Sequence, residues 1–203
     1  MSENELNFDD KLMSMLHIIA NEGINNAARG FSGLLGEKLT VNNPGVRMVE
    51  LKEIPHILGG PENEAIGVYL RAEGDISGQI MLVIPYDKAL ELVDLLIGNP
   101  PNTTQELGSF ERSALAEVGN QTGTFFINSL SSLTGLDVRP SPPAVMVDMV
   151  GAILDIIVAT TGGVSEHVLL MEANFELGNR KVETNFWVIP DEKTLNAIRF
   201  GAS

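Results

Sequence analysis

The chain repeats itself, and a repeat restricts a fold more than composition does. Ser14, Asn21 and Pro44 recur ninety-nine positions later as Ser113, Asn120 and Pro143, with Leu39 and Val138, and Val46 and Val145, in step. Further on, Val83-Ile84-Pro85 with Lys88 and Leu90 recurs as Val188-Ile189-Pro190 with Lys193 and Leu195, where the offset has grown to 105. Two pseudo-repeats, about 9–100 and 108–203, each with only a partial apolar face, predict one domain over 1–203 with pseudo-twofold symmetry. No Pro- or Ser-rich linker separates them.

Periodicity gives the same reading in each half. Leu12, Met15, Leu16, Ile19 and Ala20 predict a helix over 9–35, with Gly23, Gly30 and Gly33 weakening its C-terminal part. Alternating or β-branched residues predict strands over 38–51 and 65–85, the latter turning at Glu73-Gly74-Asp75. Residues 87–97 return to helical spacing and stop at Gly98-Asn99-Pro100. In the second half the prediction is a helix over 110–133 and a strand region over 136–149. Strands over 152–160, 166–175 and 182–189 follow, then a short helix from 191. The fold class is α+β, a mostly antiparallel sheet flanked by helices.

Charge and residue content remove several function classes. With a net charge of -14 and a pI near 4.5, the chain would be repelled by a phosphate backbone or an anionic bilayer, so neither nucleic acid nor membrane is an expected partner. The absence of cysteine rules out disulfides, thiol nucleophiles and thiolate metal sites. His17, His56 and His167 are scattered without a second ligand at metal spacing, so no metal of its own is expected. The acidic start Met1-Ser2-Glu3-Asn4-Glu5 does not read as a secretory signal, and apolar runs such as Ile80-Met81-Leu82-Val83-Ile84 are too short to span a bilayer. A cytoplasmic protein is expected.

The chemistry lies in one helical constellation. Ser113, Glu117 and Asn120 stand at steps of four and three, which place a hydroxyl, a carboxylate and a carboxamide on one helix face. Glu-x2-Asn occurs three times, as Glu22 with Asn25, Glu117 with Asn120 and Glu176 with Asn179. Only the second has a Ser four residues before the glutamate and a proline, Pro143, twenty-three positions after the asparagine. Requiring both lowers the chance expectation roughly a hundredfold. A polar helix stripe is ordinarily just solvated surface. Here the full spacing and the duplication argue against that. Glu176-Leu177-Gly178-Asn179 reads as a turn before the last strand, and Pro143 as a residue that shapes the chain beside the helix and does no chemistry.

Ser113-x3-Glu117-x2-Asn120-x22-Pro143 resembles the signature of the CheC, CheX and FliY phosphatases of chemotaxis, and the tandem duplication and Leu96-Ile97-Gly98-Asn99-Pro100 resemble the CheC type over nearly the whole chain. The resemblance implies a phosphatase that hydrolyses the aspartyl phosphate of the response regulator CheY. In that reaction Asn120 would orient the attacking water and Glu117 would pair with the regulator's active-site lysine, while Ser113 and Pro143 shape the site. Magnesium would sit on the regulator. The resemblance also implies CheD, a receptor deamidase, as a partner. The alternative it leaves open is a non-catalytic regulatory module of the chemotaxis or flagellar switch system.

The first half departs from the pattern at its centre. The ninety-nine-residue offset maps Ser113 to Ser14, Asn120 to Asn21 and Pro143 to Pro44, but it maps Glu117 to Ile18. An apolar side chain there makes no ion pair, so the first site is expected to be degenerate. The competing register Glu22-Gly23-Ile24-Asn25 has Ile18 where Ser or Asp belongs and Met48 where Pro belongs.

Overall fold

Alternation of side chains along the central strands makes a three-layer molecule. The computed structural model describes residues 10–35, 38–161, 167–190, 194 and 196. Its first half runs α1 (Asp10–Leu35), β1 (Thr40–Glu50), a 3-10 turn (Leu51–Glu53), α2 (Ile54–Ile57), β2 (Glu64–Gly74), β3 (Gly78–Pro85) and α3 (Tyr86–Leu96). The second runs α4 (Ser109–Thr134), β4 (Val138–Pro140), β5 (Ala144–Met149), α5 (Val150–Thr161), β6 (His167–Leu177) and β7 (Arg180–Pro190). The predicted helix from 191 lies outside the described residues except for Thr194 and Asn196, which are helical.

The seven strands form one sheet in the order β1-β6-β7-β3-β2, with β4 and β5 both paired to the outer side of β2, and every pairing is antiparallel. This order reads alike from both edges when β1 is set against β5, β6 against β2 and β7 against β3. The register obeys the same exchange. At the centre Met81 faces Trp187 and Leu82 faces Phe186, and a shift of 105 turns one pair into the other.

Because successive side chains on a strand point to opposite faces, each strand feeds two cores. Ile66, Val68 and Leu70 of β2 and Ile80, Leu82 and Ile84 of β3 pack under α1, α3 and α4. Ala65, Met81, Val83, Leu170 and Trp187 face the other way, against Ile54 and Leu58 of the α2 region and Val150, Ile153, Leu154 and Ile157 of α5. Trp187 is fully buried there, where truncating so large a side chain costs about 3–5 kcal/mol.

One expected strand is a helix. Residues 152–160 were predicted as strand because they form an unbroken apolar, β-branched run, a pattern that does not distinguish a strand from a buried helix. They belong to α5, whose buried positions 150, 153, 154 and 157 have helical spacing. The predicted strand region 136–149 is also two strands, split at Ser141-Pro142-Pro143. Ser141 braces the split: its Oγ accepts from Arg71 N at 2.9 Å, and its own N–H donates to Arg71 O at 2.8 Å.

Candidate active site on helix α4

Small residues let α4 lie directly on the sheet, and this fixes which of its faces looks outward. A Cβ added to Gly119 would lie 2.4 Å from Val68 Cγ1 of β2, so only glycine allows this approach. Leu115, Val118, Thr122, Gly123 and Phe126 continue the buried stripe. Where α4 meets α1, a Cβ on Gly23 would come within 2.9 Å of the Phe126 Cα. The glycine that weakens α1 on propensity is thus needed for helix contact, and α1 continues to Leu35.

The opposite sector of α4 carries the sequence-predicted site. At about 100° per residue, Phe110, Ser113, Glu117, Asn120 and Gln121 fall within an arc of about 100°. Ser113 and Glu117 are exposed, and Asn120 and Gln121 are half-buried. The Ser113 hydroxyl donates to Ser109 O at 2.8 Å, a back-bond to the preceding turn that leaves its lone pairs outward. The Asn120 carboxamide makes no hydrogen bond with any described residue. Its donors and acceptor remain open to a partner.

Pro143 reaches the same end of the molecule through β5. It is half-buried, two residues before Val145, which pairs with Val68 beneath Gly119, and α4 touches both β4 and β5. The structure therefore brings Ser113, Glu117 and Asn120 onto one outward face and runs the Pro143 segment alongside the helix.

Sequence reasoning did not single out Gln121 or Phe110. Gln121 Nε2 donates to Glu117 Oε1 at 2.8 Å, while Gln121 Oε1 is buried without a partner. An amide-to-carboxylate contact at i, i+4 on a helix returns about 0.2–0.5 kcal/mol, whereas a buried unpaired acceptor costs about 1–3 kcal/mol. The arrangement therefore does not stabilise the fold. Phe110 is 62% exposed, the most exposed of the large apolar side chains in the described chain. A helical projection outward from Glu117 would have flagged both residues.

Helix α1 presents the corresponding arc with different chemistry. The Ser14 hydroxyl donates to Asp10 O at 2.7 Å, matching Ser113 and Ser109. Ile18 is 49% exposed where α4 has Glu117, and exposed Glu22 stands where α4 has Gln121. Asn21 is half-buried, and the Asn25 amide is turned back to Asn21 O at 2.7 Å. Pro44 lies at a register break in β1, between Asn42 and Gly45. Ile18 thus separates the hydroxyl from the amide on this face. The third Glu-x2-Asn ends, as expected, in the β6–β7 turn, with Gly178 left-handed and Asn179 exposed.

Among the described residues no three His, Asp or Glu side chains gather as a metal-binding group, and no helix is long and apolar enough to cross a membrane.

A model of the CheC-like family matches residues 110–147, the segment from Phe110 through Pro143 into β5. The CheY-P phosphatase CheC of Bacillus subtilis (strain 168) is 27% identical over 200 residues, covering 96% of each chain. The X-ray structure of Thermotoga maritima FliY superposes with a TM-score of 0.72 at 22% identity, covering 94% of each chain. A Borrelia burgdorferi structure, the CheX-CheY-BeF3-Mg+2 complex, contains a chain that matches with a TM-score of 0.51 at 17% identity, over 86% of this chain and 99% of that one. At those identities the two structures speak for a shared fold. The segment match at α4 and a relative spanning both halves make this chain similar to the CheC-like family.

Proposed function

We propose that this chain is a protein phosphatase that hydrolyses the aspartyl phosphate of a CheY-type response regulator, with one working site on α4. The observation that carries the reading is the outward pairing of Glu117 with an unengaged Asn120 carboxamide, in a chain similar along its length to a CheY-P phosphatase.

The chemistry asks little of such a helix. An acyl phosphate is already activated, so hydrolysis needs water held in line with the phosphorus–oxygen bond, and the regulator's carboxylate leaves as that bond breaks. Asn120 enters the regulator's site and orients the water through its carboxamide, as a glutamine does in other phosphoryl hydrolysis. Glu117 pairs with a lysine at the regulator's site and fixes the docked angle, while Ser113 and Pro143 shape the rim. Magnesium belongs to the regulator, as part of the substrate. On this reading the protein works in the cytoplasm with that regulator. The scaffold is two pseudo-repeats in one domain, supported by the symmetric strand order and the exchange of register at Met81 and Leu82.

The lifetime of a phosphorylated CheY-type regulator, followed with and without this protein, tests the reading. Wild type shortens it, and Asn120→Ala loses about a hundredfold of that acceleration, the scale of removing one group that serves only the transition state. A decay rate that wild type leaves unchanged overturns the proposal.

A second reading is favoured by Ile18, an exposed apolar side chain at the centre of the α1 face. On this reading the chain serves as a binding module, with CheD or the phosphorylated regulator held and not turned over. Co-purification with CheD, retained in Asn120→Ala, separates that role from catalysis.

A further inference from the structure

The contact between Gln121 and Glu117 has no equivalent on α1. The ninety-nine-residue offset places Ile18 and Glu22 at these positions, so α1 keeps one carboxylate but moves it a turn along the helix and loses the amide beside it. On α4 the amide orientation is set by the carboxylate. Turning the amide over would put Oε1 against Glu117 Oε1, two acceptors facing each other, and would bury the NH2 group in its place. The observed orientation instead leaves Gln121 Oε1 buried and unpaired. A fold under selection for stability alone would place an apolar side chain at this half-buried position.

We propose that Gln121 is a positioning residue for Glu117. Its Nε2 holds Oε1 of the carboxylate at 2.8 Å, which restricts a side chain that is otherwise exposed and free to rotate, and leaves Oε2 as the acceptor presented to the docking partner. The inference rests on the phosphatase reading, in which Glu117 meets a cationic group of the regulator. It adds that docking strength on α4 depends on a neighbour that touches no substrate.

Gln121→Met keeps the length of the side chain and removes both the donor and the buried acceptor. Two measurements on the full chain read its effect: binding of a CheY-type regulator activated with beryllofluoride, and turnover of the phosphorylated regulator. The expected result is a Kd and KM raised about three- to tenfold, the range of one lost preorganising contact, with kcat at saturation within about twofold of wild type. Tm is unchanged or higher, because an unpaired acceptor has been removed. Gln121→Glu places like charges at i, i+4, so KM rises further and the excess shrinks as salt is added. A lower Tm with unchanged KM in Gln121→Met would show a structural residue and overturn the proposal. So would full wild-type affinity in that variant. Wild-type protein that neither binds nor turns over the regulator removes the phosphatase reading and this inference with it, whereas an active wild type with an unmoved Gln121→Met removes the inference alone.

Discussion

Helices α1 and α4 share an inner face and differ on their outer one. Leu16, Ile19, Ala20, Ile24 and Ala28 are buried on α1 where Leu115, Val118, Gly119, Gly123 and Ile127 are buried on α4, each pair ninety-nine residues apart. Outside, Lys11, Ser14, Ile18, Asn21 and Glu22 stand against Phe110, Ser113, Glu117, Asn120 and Gln121. The hydroxyl and the asparagine survive in both arcs, and the residue between them changes class. Helical period against the sheet explains the inner agreement: the same positions are buried on both helices, while their volumes differ where Ile24 stands against Gly123 and Ala28 against Ile127. The outer face is free of that constraint, and there the two arcs present different chemistry.

The comparison breaks most completely if α4 is made to resemble α1. Glu117→Ile reproduces the α1 centre and removes the ion pair proposed to fix the docked geometry. We expect kcat/KM to fall about a hundredfold, the lower range for losing a charge-paired contact at an interface, with Tm nearly unchanged because the position is exposed. Stopped dephosphorylation time courses together with a thermal melt separate the two quantities. A variant that keeps more than half its activity would mean that α4 does not depend on its carboxylate.

The inner face gives the next effect. Ala20 stands on α1 where α4 has Gly119, so the two helices do not press equally on the sheet. Gly119→Ala would bring a Cβ to 2.4 Å from Val68 Cγ1 and 2.7 Å from its Cβ, and overpacking of this kind costs about 1–3 kcal/mol. The helix must lift, carrying Glu117 and Asn120 with it, so activity should fall together with stability. Ala20→Gly on α1 leaves contacts and loosens the helix, at about 1 kcal/mol. Urea melts of the two variants check the ordering, and equal losses would contradict it.

How much of this was legible in the sequence depended on whether a feature follows from backbone period or from side-chain placement. Ser113, Glu117 and Asn120 could be set on one face without coordinates because i, i+4 and i+7 coincide on any α-helix. The contact at Gln121 is a matter of rotamer and burial, and no spacing rule predicts an orphaned Oε1. Asp94 was missed for a related reason. It is fully buried, and its carboxylate accepts from Thr103 N and Thr104 N at 2.9 Å and from Thr104 Oγ1 at 2.6 Å, closing the loop that leads to α4. Those partners lie nine and ten residues away, beyond any local motif. Residues 152–160 misled because exposed Ile156 and Val158 fill the outer face of α5 and hide its period.

Restoring the lost group on α1 is a smaller and more demanding test. Ile18→Glu, made in the Glu117→Ile background, puts the carboxylate back between Ser14 and Asn21. Residual turnover should recover about tenfold, short of wild type, because Glu22 occupies the place of Gln121 and repels the new carboxylate at i, i+4. Adding Glu22→Gln should raise the recovery by about another twofold, the scale of relieving one exposed like-charge pair. No gain from either step would mean that α1 has lost more than its glutamate.

Phe110 is expected to give the smallest effect and bears on recognition alone. It lies two turns before Glu117 on the same arc, where α1 has Lys11, and exposed aromatic side chains contribute more than their share at protein interfaces. Phe110→Lys makes the entrance of α4 like that of α1. At 62% exposure the side chain supports little of the fold, so Tm should hold within about a degree. KM for the phosphorylated regulator should rise about threefold, a rim-sized loss, while kcat stays constant because the chemistry proposed for Asn120 is untouched. A fall in kcat at unchanged KM would place Phe110 in the chemistry and not at the threshold, and the outer faces of the two helices would then differ in one more catalytic element than their sequences suggest.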